Sequence, residues 1–121
     1  MALAALLAAC SRSAAPQRAC TLIGCESGLA VRLDAPPAGA YRVEATGPGA
    51  PSPRVQECDA ATRCGGHIYF RDFTPDVATI RIVAGADTVT RTVRPSYKTL
   101  QPNGPDCPPT CRRAEVRIGG G

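Results

Sequence analysis

Tryptophan is absent from this 121-residue chain, and two phenylalanines and three tyrosines are its only aromatics. Aromatic rings bring the largest apolar area per residue to a core, so the core here has to be thin and mostly aliphatic. Histidine occurs once, at His67, which excludes a histidine-built metal cage. No GxSxG or comparable nucleophile context is present, so serine catalysis lacks its usual frame. Lysine also occurs once, against thirteen arginines, and with acids interleaved the formal charge is +4 and forms no basic block. Without a concentrated stripe or stacking aromatics, nucleic-acid binding is excluded as a class. No apolar run approaches the roughly 20 residues that cross a bilayer as a helix, and no window repeats apolar residues at helical spacing behind a cap.

What remains is period two. Leu29, Val31 and Leu33 share one face with Arg32 opposite; Tyr41, Val43 and Ala45 face away from Arg42 and Glu44. Ile68 and Phe70 alternate with Tyr69 and Arg71, Ala78, Ile80 and Ile82 with Thr79 and Arg81, and Ala114, Val116 and Ile118 with Glu115 and Arg117. Each run reads as a half-buried strand. Val89–Val93 is ambiguous because Arg91 shares a face with two valines, a conflict that a bulge or an edge position relieves. Residues 54–58 add a short strand. Between the runs lie Pro36-Pro37-Ala38-Gly39, Gly47-Pro48-Gly49, Gly65-Gly66 and Gly85-Ala86-Asp87, all turn chemistry. About seven short strands and no helix predict an all-β, antiparallel β-sandwich of immunoglobulin/fibronectin-like type over residues 25–118, with a small closed barrel as the alternative.

Seven cysteines are many for a chain with so little core. If Cys10 is set aside, Cys20, Cys25, Cys58, Cys64, Cys107 and Cys111 form an even set, none of them spaced CxxC, which suits a disulfide-stapled fold in an oxidising compartment. Six cysteines allow fifteen connectivities. Cys25 and Cys111 each precede a predicted strand by four residues, and first and last strands run side by side in many immunoglobulin-like domains. That favours Cys25 with Cys111, Cys58 with Cys64, and Cys20 with Cys107. The competing set closes Cys20 with Cys25 and Cys107 with Cys111. A different reading makes Cys58, Cys64 and His67 zinc ligands with Cys107 or Cys111 as the fourth, the basis of a metal-dependent enzyme centred on His67. The preferred expectation is no metal, no cofactor and no catalytic residue, with His67 opening a strand after the Gly65-Gly66 turn.

The N-terminal run Met1–Ala9 is uncharged and ends in Leu7-Ala8-Ala9-Cys10, which resembles the lipobox of bacterial lipoproteins. The stretches Pro37-Ala38-Gly39-Ala40-Tyr41-Arg42-Val43-Glu44 and 102–111 are likewise similar to those of small bacterial lipoproteins. The resemblance implies that residues 1–9 are a signal peptide, that Cys10 is lipidated, and that Ser11 directs the protein to the outer membrane. The alternative, an Ala-rich N-terminus on a cytosolic protein, sits badly with six further cysteines. Residues 10–24 then form a flexible tether and residues 119–121 a flexible tail. The expected address is the bacterial cell envelope, with the membrane as partner through the lipid and an envelope protein or polysaccharide as a further one.

The most distinctive loop runs from Pro95 to Cys111, its densest part being Pro102, Asn103, Gly104, Pro105, Asp106, Cys107, Pro108, Pro109 and Cys111. Four prolines after Gln101 and two cysteines restrict it, so contact with a partner would cost little ordering entropy. It is the candidate recognition loop of a binding module, or of a protease-inhibitor or adhesin-like one. The plainer reading is a stiffened crossover in which Asn103-Gly104 marks a turn.

Overall fold

The computed structural model describes residues 19–49 and 52–119. Among these are eight strands and no helix: β1 (Gly28–Leu33), β2 (Tyr41–Thr46), β3 (Arg54–Cys58), β4 (His67–Arg71), β5 (Ala78–Ala84), β6 (Asp87–Val93), β7 (Lys98–Leu100) and β8 (Cys111–Ile118). They form two four-stranded sheets, ordered β4-β1-β8-β7 and β3-β2-β5-β6. Every pairing is antiparallel except β1 with β8, which is parallel. Each sheet keeps two free edges among the described residues, so the closed barrel is not formed.

The alternation read from the sequence is the alternation that is buried. Leu29, Val31, Leu33, Ile68, Phe70, Ala114 and Ile118 from one sheet join Tyr41, Val43, Ala45, Ala78, Ile80 and Ile82 from the other in a single cluster. Phe73 completes it, its ring edge-on to Phe70 at 6.1 Å. Fully buried positions are aliphatic: Leu29, Ile68, Ile80, Val31 and Val43.

Three details depart from the sequence reading. The last strand begins at Cys111 rather than at residue 114 or 115, because β7 pairs with residues 111–113 on its open side. That extra strand, Lys98–Leu100, lay inside the presumed loop; three residues are too few for a period to register. Parallel pairing sets Leu29 opposite Ala114, Val31 opposite Val116 and Leu33 opposite Ile118, one residue off the correspondence between Cys25 and Cys111. The strand order also differs from an antibody constant domain, where the first, second, fifth and fourth strands share a sheet. Here β2 pairs with β5 as there, but β1 pairs with β4 in the opposite sheet.

Arg91 resolves as an edge residue. Its Cα faces Ile80 on the core-facing row, yet β6 is the outer strand and the side chain is exposed. A charge placed on the inward row of an edge strand opposes pairing with another chain. Glycine is required where backbone closes on it: a Cβ at Gly28 would collide with the Phe70 carbonyl oxygen and sit 2.7 Å from the Tyr69 hydroxyl. At Gly66, φ is +73° and a Cβ would lie 2.8 Å from the Leu33 carbonyl oxygen, while Leu33 N–H donates to the Gly66 carbonyl at 2.7 Å.

Candidate functional site

Chain direction sorts the loops into two poles. β1 leaves Gly28 and ends at Leu33, so β2 begins, β3 ends and β4 begins at the far pole, while β8 begins and β7 ends beside the start of β1.

The near pole holds two of the three disulfides. Cys20–Cys107 and Cys25–Cys111 are bonded with Cα separations of 5.6 and 6.1 Å, and Cys58–Cys64 at 5.5 Å staples the far pole. This is the favoured connectivity, not the local one. It also consumes Cys58 and Cys64 as thiolates, which removes the zinc reading built on them with His67. No group of three or more His, Cys, Asp or Glu suited to a metal occurs among the described residues. His67 opens β4, exposed, its N–H donating to the Cys64 carbonyl at 3.0 Å. Cys10 lies outside the described residues.

The candidate recognition loop belongs to the near pole. Pro102, Asn103, Gly104 and Pro109 are half-buried, Pro105, Asp106 and Pro108 exposed, and Cys107 buried. Gly104 takes φ +99°, and the Pro108–Pro109 bond is cis. Asn103 does more than mark a turn. Its Nδ2 donates to the carbonyls of Ile23 and Pro108, both at 2.8 Å, and its Oδ1 accepts the Ile23 N–H at 3.0 Å and the Thr21 hydroxyl. An amide with both lone pairs and both N–H groups engaged is saturated, so Asn103 is a clamp and offers nothing to a ligand. The clamp also fixes residues 20–24, assigned to the tether by the sequence: between Cys20 and Cys25 the backbone is bonded at both ends and held in the middle. The result is an unusual display, with Leu22 99% and Ile23 56% exposed.

Tyr97 braces the same pole. Its hydroxyl donates to the Pro75 carbonyl at 2.7 Å, and the Arg112 guanidinium lies 4.7 Å from its ring centre. Burial raises its pKa above the ordinary 10.0; the Arg112 charge opposes that rise and Asp76 adds to it.

Clefts occur at both poles: one of about 250 Å³ lies at the near pole between Pro48-Gly49 and Asp72–Pro75, and two lie at the far pole. A cleft of about 390 Å³ runs between the β1–β2 loop (Pro36, Pro37) and the β3–β4 loop (Asp59, Arg63, Gly65), with Tyr41 in its wall. A second, of about 230 Å³, is lined by Leu33, Ile82, Val89 and Ile118 on the other side of Pro37. Asp59 Oδ1 accepts the N–H groups of Ala61 and Thr62 at 2.9 and 2.7 Å, which shapes the loop that Cys58–Cys64 closes. The Tyr41 hydroxyl is buried without a hydrogen-bond partner among the described residues, and Arg63 has no acidic partner there either. Tyr41 and Arg63 were not singled out by the sequence. An unpaired hydroxyl is invisible there, and Arg63 is one arginine of thirteen.

Compared with protein-family models, curated proteins and solved structures, the chain matches none. No helix among the described residues is long and apolar enough to cross a membrane.

Proposed function

We propose that this protein is a lipid-anchored component of the bacterial cell envelope, held through acylated Cys10, whose folded body is a non-catalytic binding or structural module. One observation carries the reading: of seven cysteines, six are paired with one another. The seventh is the lipobox cysteine. Three disulfides also favour an oxidising compartment, and the bridged pole is where the tether joins the body. A body tied at that pole turns its far pole outward, and that pole has the cleft of about 390 Å³ with the buried Tyr41 hydroxyl and the Arg63 guanidinium beside it. An envelope protein or polysaccharide is the partner class this arrangement suits. Kinship with immunoglobulin-like domains draws support from the parallel β1–β8 pair and the β2–β5 pair, and is opposed by the position of β1.

A second reading, a protease-inhibitor or adhesin-like module, is favoured by the exposed Pro105, Asp106 and Pro108 on a braced backbone. Inhibition of any member of a protease panel would move the function to that loop.

The test of the main reading is incorporation of radiolabelled palmitate in cells producing wild type or Cys10→Ala. Wild type takes up label and sediments with membranes, and Cys10→Ala takes up none. Equal labelling of the two, or none in either, refutes the anchor.

A further inference from the structure

We propose that Leu22 and Ile23 form an apolar tip that seats the near pole on the surface of the anionic phospholipid bilayer holding the anchor. Single exposed leucines are ordinary on soluble proteins. This one differs in how it is held. Leu22, 99% exposed, and Ile23, 56% exposed, occupy a six-residue segment bridged at both ends, Cys20 to Cys107 and Cys25 to Cys111. A flexible segment would fold such side chains back onto the body; here the disulfides and Asn103 keep them outward.

The backbone is prepared in a second way. Polar main-chain groups entering an apolar phase need partners within the protein. At Ile23 both are supplied by one side chain, Asn103 accepting from the N–H at 3.0 Å and donating to the carbonyl at 2.8 Å. Ile23 can therefore leave water without stranding either of its main-chain groups, and the ordering cost of the segment is already met by the fold.

Position and charge select the occupant. Nine residues lie between Cys10 and Cys20, so the start of the bridged segment lies within about 35 Å of a lipidated Cys10 even with the tether fully extended. On the strands beside it, Lys98, Arg112 and Arg113 have no acidic partner among the described residues; Arg112 and Arg113 rest on the rings of Tyr97 and Tyr69. Glu26 is engaged by Arg71 at 3.1 Å. These three cations outnumber the acids of the same pole that no ion pair engages among the described residues, Asp72 and Asp76, and the remaining positive charge suits anionic headgroups.

The inference rests on the anchored reading, and its test separates the two. Because the chain has no tryptophan, Leu22→Trp supplies a unique fluorophore at the tip. Ala60→Trp, at an exposed position in the far-pole loop that Cys58–Cys64 closes, supplies the reference. Each protein is extracted from membranes, its mass checked for acylation, and reconstituted into phosphatidylethanolamine–phosphatidylglycerol vesicles with or without brominated acyl chains. Emission from the Leu22→Trp variant should shift to the blue and be quenched by the brominated chains, with that of the Ala60→Trp variant unchanged. An acylated protein in which the tip fluorophore behaves as the reference does refutes the tip and leaves the anchor standing. A protein found unacylated refutes the anchor; mixed with the same vesicles, it still upholds the tip if the Leu22→Trp variant alone is quenched and refutes it otherwise. A blue shift without bromine quenching, present before vesicles are added, assigns the tip to a second copy of the chain and refutes the bilayer.

Discussion

The two near-pole disulfides are not independent, and their coupling has a calculable size. Either one alone closes a loop of nearly ninety residues, since the bonded positions are 87 and 86 apart. In the chain-entropy picture that constraint on the unfolded state contributes about 4.6 kcal/mol. With one bridge in place, the second closes only the small ring of residues 20–25 and 107–111, and adds about 2.8 kcal/mol. Replacing Cys20 and Cys107 by alanine should therefore cost about 2.8 kcal/mol, and replacing Cys25 and Cys111 the same. Replacing all four should cost about 7.4 kcal/mol, roughly 1.8 more than the two pairs summed. A domain of this class has about 5 to 15 kcal/mol to lose, so the pairwise variants stay folded while the quadruple variant lies near or past its unfolding point. Urea titrations followed by circular dichroism measure all three. Strict additivity of the two pairs, or one pair costing as much as all four, would refute the nested-loop reasoning.

Other expectations are more local. Asn103→Ala removes four hydrogen bonds from the near pole and should cost about 1 to 3 kcal/mol, with amide exchange at Ile23 rising far more than exchange in β5. Gly28→Ala drives a methyl into the Phe70 carbonyl and Tyr69, and should lower stability by about 1 to 3 kcal/mol in the same titrations. Because Tyr97 ionises above its ordinary 10.0 when folded, its contribution is complete below that value and disappears as pH rises through the folded pKa. Tyr97→Phe should cost about 1 kcal/mol at neutral pH and flatten the stability loss at high pH, as read by unfolding at graded pH. Arg91→Val should turn β6 into an apolar edge and give concentration-dependent association by light scattering.

Much of the sheet was legible because burial follows a two-residue period wherever a strand has one wet face. Leu29, Val43, Ile80 and Ala114 all fall on the predicted side, and the turns sit where proline and glycine cluster. What escaped did so for physical reasons. β7 is three residues long and polar at two of them. The row of Arg91 reads as core by period, and only its edge position keeps the guanidinium in water. Which sheet β1 joins depends on pairing across more than eighty residues, about which local pattern is silent. At the candidate sites, the cysteines and the proline loop were visible as residue types. Asn103 looked like a turn residue, and its role as a clamp emerges only when Ile23 is brought beside it from 80 positions away. Leu22-Ile23 between two cysteines was in plain view, but its exposure follows from bridges that join Cys20 and Cys25 to the distant loop rather than to each other.

The central claim is that Cys10 carries lipid while the other six cysteines are bonded in three pairs, and intact mass spectrometry of the membrane-extracted protein reads all of it together. The account predicts a chain beginning at Cys10, heavier by its acyl groups, with no thiol open to alkylation until a reductant is added. A full-length, unmodified chain recovered from the soluble fraction with reactive thiols would contradict it.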